Sequence, residues 1–432
     1  MFQTLVNAFK IKDVRRKILI TIALLFVYRI GCYIPMPGIS SFVDMEKFNF
    51  FNIMSAVSGG ALQAGTFFAM GIGPYINASI IIQLLTVGIP ALERLSKQGE
   101  EGRRKINNIT RVVTLILAVA QSIGILVAFS ANIDTNKIFG STGFLNFLSY
   151  AFLVIMFTTG SALTMWLGER ITDYGVSNGI SMLIFAGIIS SAGSAIVALI
   201  QGLFVAETAA NSAWQLVAFA VAAIVIFAAI VTVNDAERKI PVQYAKQVKG
   251  RKMYGGQSTH IPIKVNSSGV MPLIFAFSIL SFPDLIINLV GMETSWWTRN
   301  MGAGSFGYTI LLCVLILFFA YFYNQIQFNP DDISKSIQSN GGFIPGTRPG
   351  KPTADYLKRI SGRITLFGAI FLALVALVPS LIFQIIGGAG AGQTLVNAFS
   401  ATGMLIIVSV ALEFEQALQS QIMMKNYRGF LK

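Results

Sequence analysis

The sequence predicts an all-α polytopic membrane protein with ten transmembrane helices, and three observations carry that reading. Of its 432 residues 54% are hydrophobic and only 12% charged, with a mean hydropathy of +0.68, whereas a soluble domain carries about a quarter charged residues. Ten stretches approach the roughly twenty apolar residues that a helix needs to cross a bilayer, allowing for shorter, tilted or broken ones. The basic residues fall almost entirely in alternate gaps between those stretches.

Basic residues precede the first stretch, Ile18 to Ile34, and no small-residue cleavage site follows it, so it reads as a retained span rather than a leader. The next apolar stretch, Phe50 to Pro90, is interrupted at Gly59, Gly60, Gly65, Gly71, Gly73 and Pro74. Its last part, Gly71 to Ile89, supplies the second span, with Pro74 suited to a first helical turn. Its first part, Met54 to Phe68, is apolar and short. Such a segment at membrane depth is tolerated only where protein or a water-filled cavity surrounds it, which predicts a pore or cavity with something folded into it. The remaining spans are read at Val112 to Ala131, Phe144 to Leu167, Ile180 to Val205, Trp214 to Val233, Val270 to Val290, Tyr308 to Tyr323, Ile364 to Ile386 and Leu395 to Leu412.

Of the 32 Lys and Arg residues, all but Arg29, Lys47, Lys137 and Arg299 lie at the termini or in one alternate set of connections. Both termini are therefore expected in the cytoplasm. The same pattern explains the net charge of +13 by the membrane surface and cytosolic partners rather than by nucleic acid. Two basic connections punctuated by Gly and Pro, residues 234–269 and 324–363, are long enough to be functional surfaces. Trp296 and Trp297 are placed to anchor an outer connection at the interface. Five spans precede Glu207 and five follow it. An odd number inverts the second half relative to the first, so an inverted repeat is an inference from span count alone, because the two halves show no convincing similarity.

Chemistry-bearing residues are scarce at membrane depth. Arg29 lies toward the outer end of the first span and can snorkel; Glu413 and Glu415 come at the end of the last span and Asp284 late in the seventh. No chain of Asp, Glu or His crosses the membrane, which argues against a proton-coupled pump. His260 is the single histidine, so no metal site is expected, and Cys32 and Cys313 lie in apolar stretches that do not suggest a disulfide framework. No phosphate-binding loop of the type GxxxxGK followed by Ser or Thr occurs, so any ATP must be spent by another protein, and no cofactor is expected. Asn77, Ser79, Gln83 and Gln121 are the uncharged polar groups among the Ile and Leu. On a helix, Ile76, Ile80 and Gln83 share a face. That face reads either as aliphatic packing with amides bridging helices or as a hydrophobic constriction that gates by excluding water.

Six segments in order resemble the SecY/Sec61 family of protein-conducting channels: GIGPYINASIIIQLL at Gly71 to Leu85, GEEGRRKI at Gly99 to Ile106, WLGERITDYGVSNGISMLIFAGI at Trp166 to Ile188, RKIPVQYAK at Arg238 to Lys246, GRKMYGGQSTHIPIKVNSSGVMP at Gly250 to Pro272 and GGFIPGTRPGKPT at Gly341 to Thr353. The resemblance implies two pseudo-symmetric five-helix halves, residues 1–206 and 207–432, hinged near Glu207 around a central hourglass pore. It implies a lateral seam between the second and third spans on one side and the seventh and eighth on the other, with Gln83 and Gln121 as its polar residues. It places a pore ring on Ile76, Ile80, Ile180, Ile184, Ile274 and Ile406, and a plug on about 54–68 with Met54, Gly59, Gly60, Leu62, Phe67 and Phe68. It puts motor and ribosome docking on Arg238, Lys246, Arg251, Lys252, Arg348 and Lys351. The implied function is translocation of unfolded secretory proteins across the bacterial cytoplasmic membrane and lateral release of membrane segments into it. The implied partners are the SecE and SecG subunits, the SecA motor ATPase, the ribosome, the signal-recognition-particle receptor, substrates with signal sequences, and the bilayer. The plug stretch SAVSGGALQAG is smaller and more weakly patterned than in familiar members.

A secondary transporter is the rival from another class, since it too uses broken helices and inverted repeats. It should place charged or strongly polar groups at midplane, where this chain offers isoleucines. An intramembrane enzyme lacks paired carboxylates, a His cluster or a Ser with a basic partner.

Overall fold

The computed structural model describes residues 2–42, 54–55, 58–203, 209–244, 247–249, 252–254, 258–266, 269–290, 297, 300–301, 305–386 and 401–429. Its helices are α1 (Phe2–Lys10), α2 (Lys12–Gly31), α3 (Gly73–Gly88), α4 (Pro90–Lys97), α5 (Gly99–Ala128), α6 (Gly143–Tyr174), α7 (Gly179–Leu203), α8 (Ala209–Asp235), α9 (Met271–Val290), α10 (Phe306–Gln327), α11 (Pro330–Ser339), α12 (Lys351–Ile386) and α13 (Ala401–Gly429). Each of the ten expected spans overlaps, in its described residues, with one of these: α2, α3, α5 to α10, α12 and α13. Among the described residues, α5, α6, α10 together with α11, and α12 up to Val378 are long and apolar enough to cross a membrane. Helices α3 and α4 form a further apolar pair bent by 101°. The bend follows from sequence: Ile89 is extended, at φ −108° and ψ 111°, because the residue before Pro90 is pushed out of the helical region.

Helix α2 stops at Gly31, short of the expected Ile34. A Cβ on Gly31 would lie 2.0 Å from Cε2 of Phe68, so the helix ends where that ring seats. The chain then runs back along the glycine-rich segment, with the Phe67 amide donating to the Ile34 carbonyl and the Met36 amide to the Gly65 carbonyl.

The two long connections are not plain loops. They hold β1 (Glu237–Tyr244), β2 (Gln247–Lys249), β3 (Lys252–Tyr254), β4 (Ser258–Lys264) and β5 (Gly342–Phe343). Strand β1 pairs antiparallel with β4, from Glu237 opposite Lys264 to Gln243 opposite Ser258, and with β5 on its other edge. The alternation that makes β1 a strand turns Ile240 and Val242 inward. They meet Ile263, Ile337, Ile344 and Leu357 in a separate small core, so the two connections form one unit.

The helical cores divide along the chain. One cluster joins Leu126, Leu153 and Phe157 of α5 and α6 to Met36, Leu62 and Met70. Another joins α8, α9, α10, α12 and α13 around Ile230, Leu273, Ile316 and Met404, and takes in Ile80 of α3. Ile116, Ile224 and Val314 are 63%, 68% and 54% exposed, apolar surface of the kind that lipid covers.

Candidate functional site: an isoleucine-lined cavity

A cavity of about 600 Å³ lies where α3, α7, α9 and α13 meet. Helical spacing of four aims Ile76 with Ile80 from α3, and Ile180 with Ile184 from α7, along one face each. Ile274 of α9 and Ile406 of α13 complete the lining, so all six isoleucines border the same space. Ile80, Ile184 and Ile406 are 5%, 6% and 4% exposed, so they meet protein on nearly every side.

The end of the cavity nearest the sheet is polar. Asn266 donates to the Asn234 side-chain carbonyl at 2.7 Å and Asn234 to the Ser409 hydroxyl at 3.3 Å. Lys264, at the end of β4, donates to Gln416 at 3.2 Å. Asn178 and Glu413 line the same mouth.

The other end is covered by residues 58–72, which run as consecutive turns rather than a helix. Ala61, Phe68 and Ile72 join Ile184, Ile188 and Ile406 in one buried cluster. A Cβ on Gly59 would come within 3.0 Å of the Gly187 carbonyl oxygen, so the segment lies against α7 less than a turn beyond Ile184. Further along α7, Ser190, Gly193 and Ser194 line a second cavity of about 550 Å³ together with Gly59 and Gly60. At about 1.5 Å rise per residue, Ser190 stands about 15 Å from Ile180. Two cavities thus follow one helix, with the glycine-rich segment between them.

The backbone of this segment accounts for its glycines. Gly59 and Gly60 have φ of +72° and +83°, in the left-handed region that a side chain disfavours. Its apolar anchors are Leu62, fully buried, and Phe68, whose ring stacks on Tyr28 at 5.9 Å. Its last turn is tied by Thr164 of α6, whose hydroxyl donates to the Gly71 carbonyl at 2.8 Å.

A family model, SecY, matches residues 66–415 of this chain. A protein translocase subunit SecY from Corynebacterium glutamicum is 39% identical over 451 residues, covering 99% of each chain. The chain belongs to the SecY family. The SecY fold is found as well in a solved structure of a protein conducting channel, at a TM-score of 0.68 and 20% identity over 94% of this chain and 92% of that one. Sec61 in the canine ribosome-channel complex of the endoplasmic reticulum gives 0.62 and 17%, again over 94% and 92%.

Other residues singled out in this SecY-family sequence are placed as follows. Met54 is buried, and its methyl would lie 3.0 Å from a Cβ on Gly73; residues 56–57 of the expected plug lie outside the described residues. Phe67 packs on the Phe68 ring at 5.3 Å, and a Cβ on Gly160 of α6 would fall 2.1 Å from its carbonyl oxygen. Gln83 lines the isoleucine cavity, and Gln121 is buried on α5, the helix that packs against α9 as well as α3. Each leaves a buried Oε1 with no hydrogen-bond partner among the described residues. Arg238, on β1, and Arg348 and Lys351, flanking the start of α12, are exposed on the sheet-bearing unit. The Thr353 hydroxyl donates to the Arg348 carbonyl at 2.8 Å and fixes that turn. Lys252 begins β3, while Lys246, Arg251 and Glu207 lie outside the described residues.

Sequence reasoning missed the Asn234, Asn266 and Ser409 network and the partner of Arg29. The signal for the network was faint: two asparagines more than thirty residues apart, at the ends of two apolar spans.

Proposed function

We infer that this chain is the channel subunit of a membrane protein-translocation system, passing unfolded secretory proteins and releasing hydrophobic segments sideways into lipid. The observation that carries this is the cavity on which six isoleucines from four helices converge, with a glycine-jointed segment packed across one end. A conduit for arbitrary sequences needs no specific polar contacts; it needs an apolar collar that closes around a chain and leaves hydrated ions no room. In this reading Ile76, Ile80, Ile180, Ile184, Ile274 and Ile406 are the collar, and residues from about 54 to 68 are the plug.

The two halves, 1–206 and 207–432, open about a hinge near Glu207. The seam runs between α3 with α5 and α9 with α10, where the unpaired carbonyl oxygens of Gln83 and Gln121 weaken closure, since a buried acceptor without a donor costs about 1–3 kcal/mol. Both termini and the sheet-bearing unit face the cytoplasm, because the basic residues concentrate there. Arg238, Lys246, Arg251, Lys252, Arg348 and Lys351 form the docking surface for a SecA-type motor ATPase and for the ribosome with the signal-recognition-particle receptor. SecE-type and SecG-type subunits complete the complex. The canine Sec61 relative, solved with a ribosome, supports the ribosome as a partner.

The test is a crosslink. A secretory chain carrying a single cysteine and stalled in transit should, on addition of a thiol oxidant, form a disulfide with a cysteine placed at Ile80, and a cysteine at the lipid-facing Ile116 should not react. Equal labelling of both positions, or of neither, would overturn the reading.

A further inference from the structure

Arg29 is the charged side chain among the described residues lining the second cavity, and it is occupied. Its Nη1 and Nη2 donate to the Gly59 carbonyl at 3.5 and 3.4 Å, and Nη2 also reaches the Tyr33 hydroxyl at 3.3 Å. The guanidinium lies 5.0 Å over the Tyr33 ring, which holds it in place by cation–π attraction. A side chain on Gly59 has no room beside it: a Cβ there would sit 2.5 Å from Nη1. On the same helix, one residue before Arg29, Tyr28 stacks on Phe68. The last turn of α2 therefore grips the covering segment at two points, an apolar one at Phe68 and a charged one at Gly59.

We propose that Arg29 is the latch that holds the plug across the channel, a positioning residue whose guanidinium grips Gly59 in the resting state and lets go when a chain enters. This rests on reading residues from about 54 to 68 as the plug. A charged donor draws a carbonyl more strongly than a neutral one, and at 3.4 and 3.5 Å, longer than an ordinary hydrogen bond, the contact releases without leaving an orphan. The freed guanidinium keeps Tyr33 and turns to the water of the cavity, while the Gly59 carbonyl leaves with the segment. A purely apolar anchor would have to expose its whole surface to do the same. The latch also explains why glycine stands at 59, where both the positive φ and the approach of Nη1 exclude a side chain.

The test uses the purified channel with its accessory subunits in vesicles loaded with a chloride-sensitive dye, with chloride influx as the readout. Arg29→Gln should raise resting influx about fivefold, and Arg29→Lys, which keeps the charge but loses the two-pronged grip, by less. Deleting residues 58–66 should raise influx by itself, and adding Arg29→Gln to that deletion should change nothing further. A tight Arg29→Gln channel beside a leaky deletion would refute the latch while leaving the plug standing. Tight channels in both cases would remove the plug reading and the latch with it. Effects that add in the double variant would also overturn the latch, because they would place the action of Arg29 on the fold and not on the segment.

Discussion

Single atoms decide much of how this chain packs. At the corner between α6 and α7, a Cβ on Gly179 would lie 1.9 Å from the Gly168 carbonyl oxygen, and backbone cannot step aside as a flexible side chain can. Forcing atoms into such a contact typically costs about 1–3 kcal/mol. Gly179→Ala should therefore lower the midpoint of thermal aggregation in detergent by several degrees, and an unchanged midpoint would show that the corner relaxes freely. In the collar the sign is different: Ile80→Ser or Ile184→Ser removes apolar contact and adds a group that water can follow. Resting single-channel conductance in planar bilayers should rise several-fold for each, and conductance equal to that of the parent channel would count against a dewetted constriction. Of the six isoleucines that line the cavity, Ile76 and Ile80 were legible from helical spacing, while Ile180, Ile184, Ile274 and Ile406 were selected only by the family resemblance. The Arg29 contact with Gly59 was not legible, since two positions thirty residues apart carry no pairwise signal in one sequence.

At the scale of elements, the helices were the readable part and the sheet was not. In their described residues the expected spans are helices, because the bilayer leaves a backbone there no other way to satisfy its hydrogen bonds. Residues 234–269 and 324–363 lie outside that constraint, and their inward alternation is brief, Ile240 with Val242 on β1 and Ile261 with Ile263 on β4. Only the pairing of β1 with both β4 and β5 reveals that the two connections are one body. Leu357, fully buried among Ile240, Ile337 and Ile344, is its keystone. Leu357→Ala should cost about 2–5 kcal/mol, enough to loosen this unit while the lipid-embedded helices stay folded. Limited proteolysis should then cut within 245–257 several times faster than in the parent protein; equal cutting rates would mean that the strands hold without this core.

For the whole molecule, charge and apolar surface are segregated to different ends, and that division sets what each end can do. The sheet-bearing unit presents Arg238, Arg348 and Lys351 to solvent, whereas the described residues of the isoleucine collar carry no charge. Exposed cations attract acidic partners over about 8 Å at physiological salt, and reversing one reverses its contribution. Arg348→Glu should reduce motor-driven export of a reporter at least several-fold while leaving the amount of channel in the membrane unchanged. Export at the parent rate in cells carrying only that variant would remove Arg348 from the proposed docking surface.

The sequence by itself determined the membrane, the apolar stretches that fold as helices and the asymmetry of charge, because each follows from hydropathy or local period. Tertiary structure alone decided what those parts meet. It brought six isoleucines from four helices to one cavity, seated Phe68 where α2 must end, joined two distant connections into a sheet, and set Arg29 against Gly59. Those outcomes depend on how helices pack in three dimensions, which a one-dimensional pattern of apolar residues leaves undetermined because most faces of a membrane helix look alike to it.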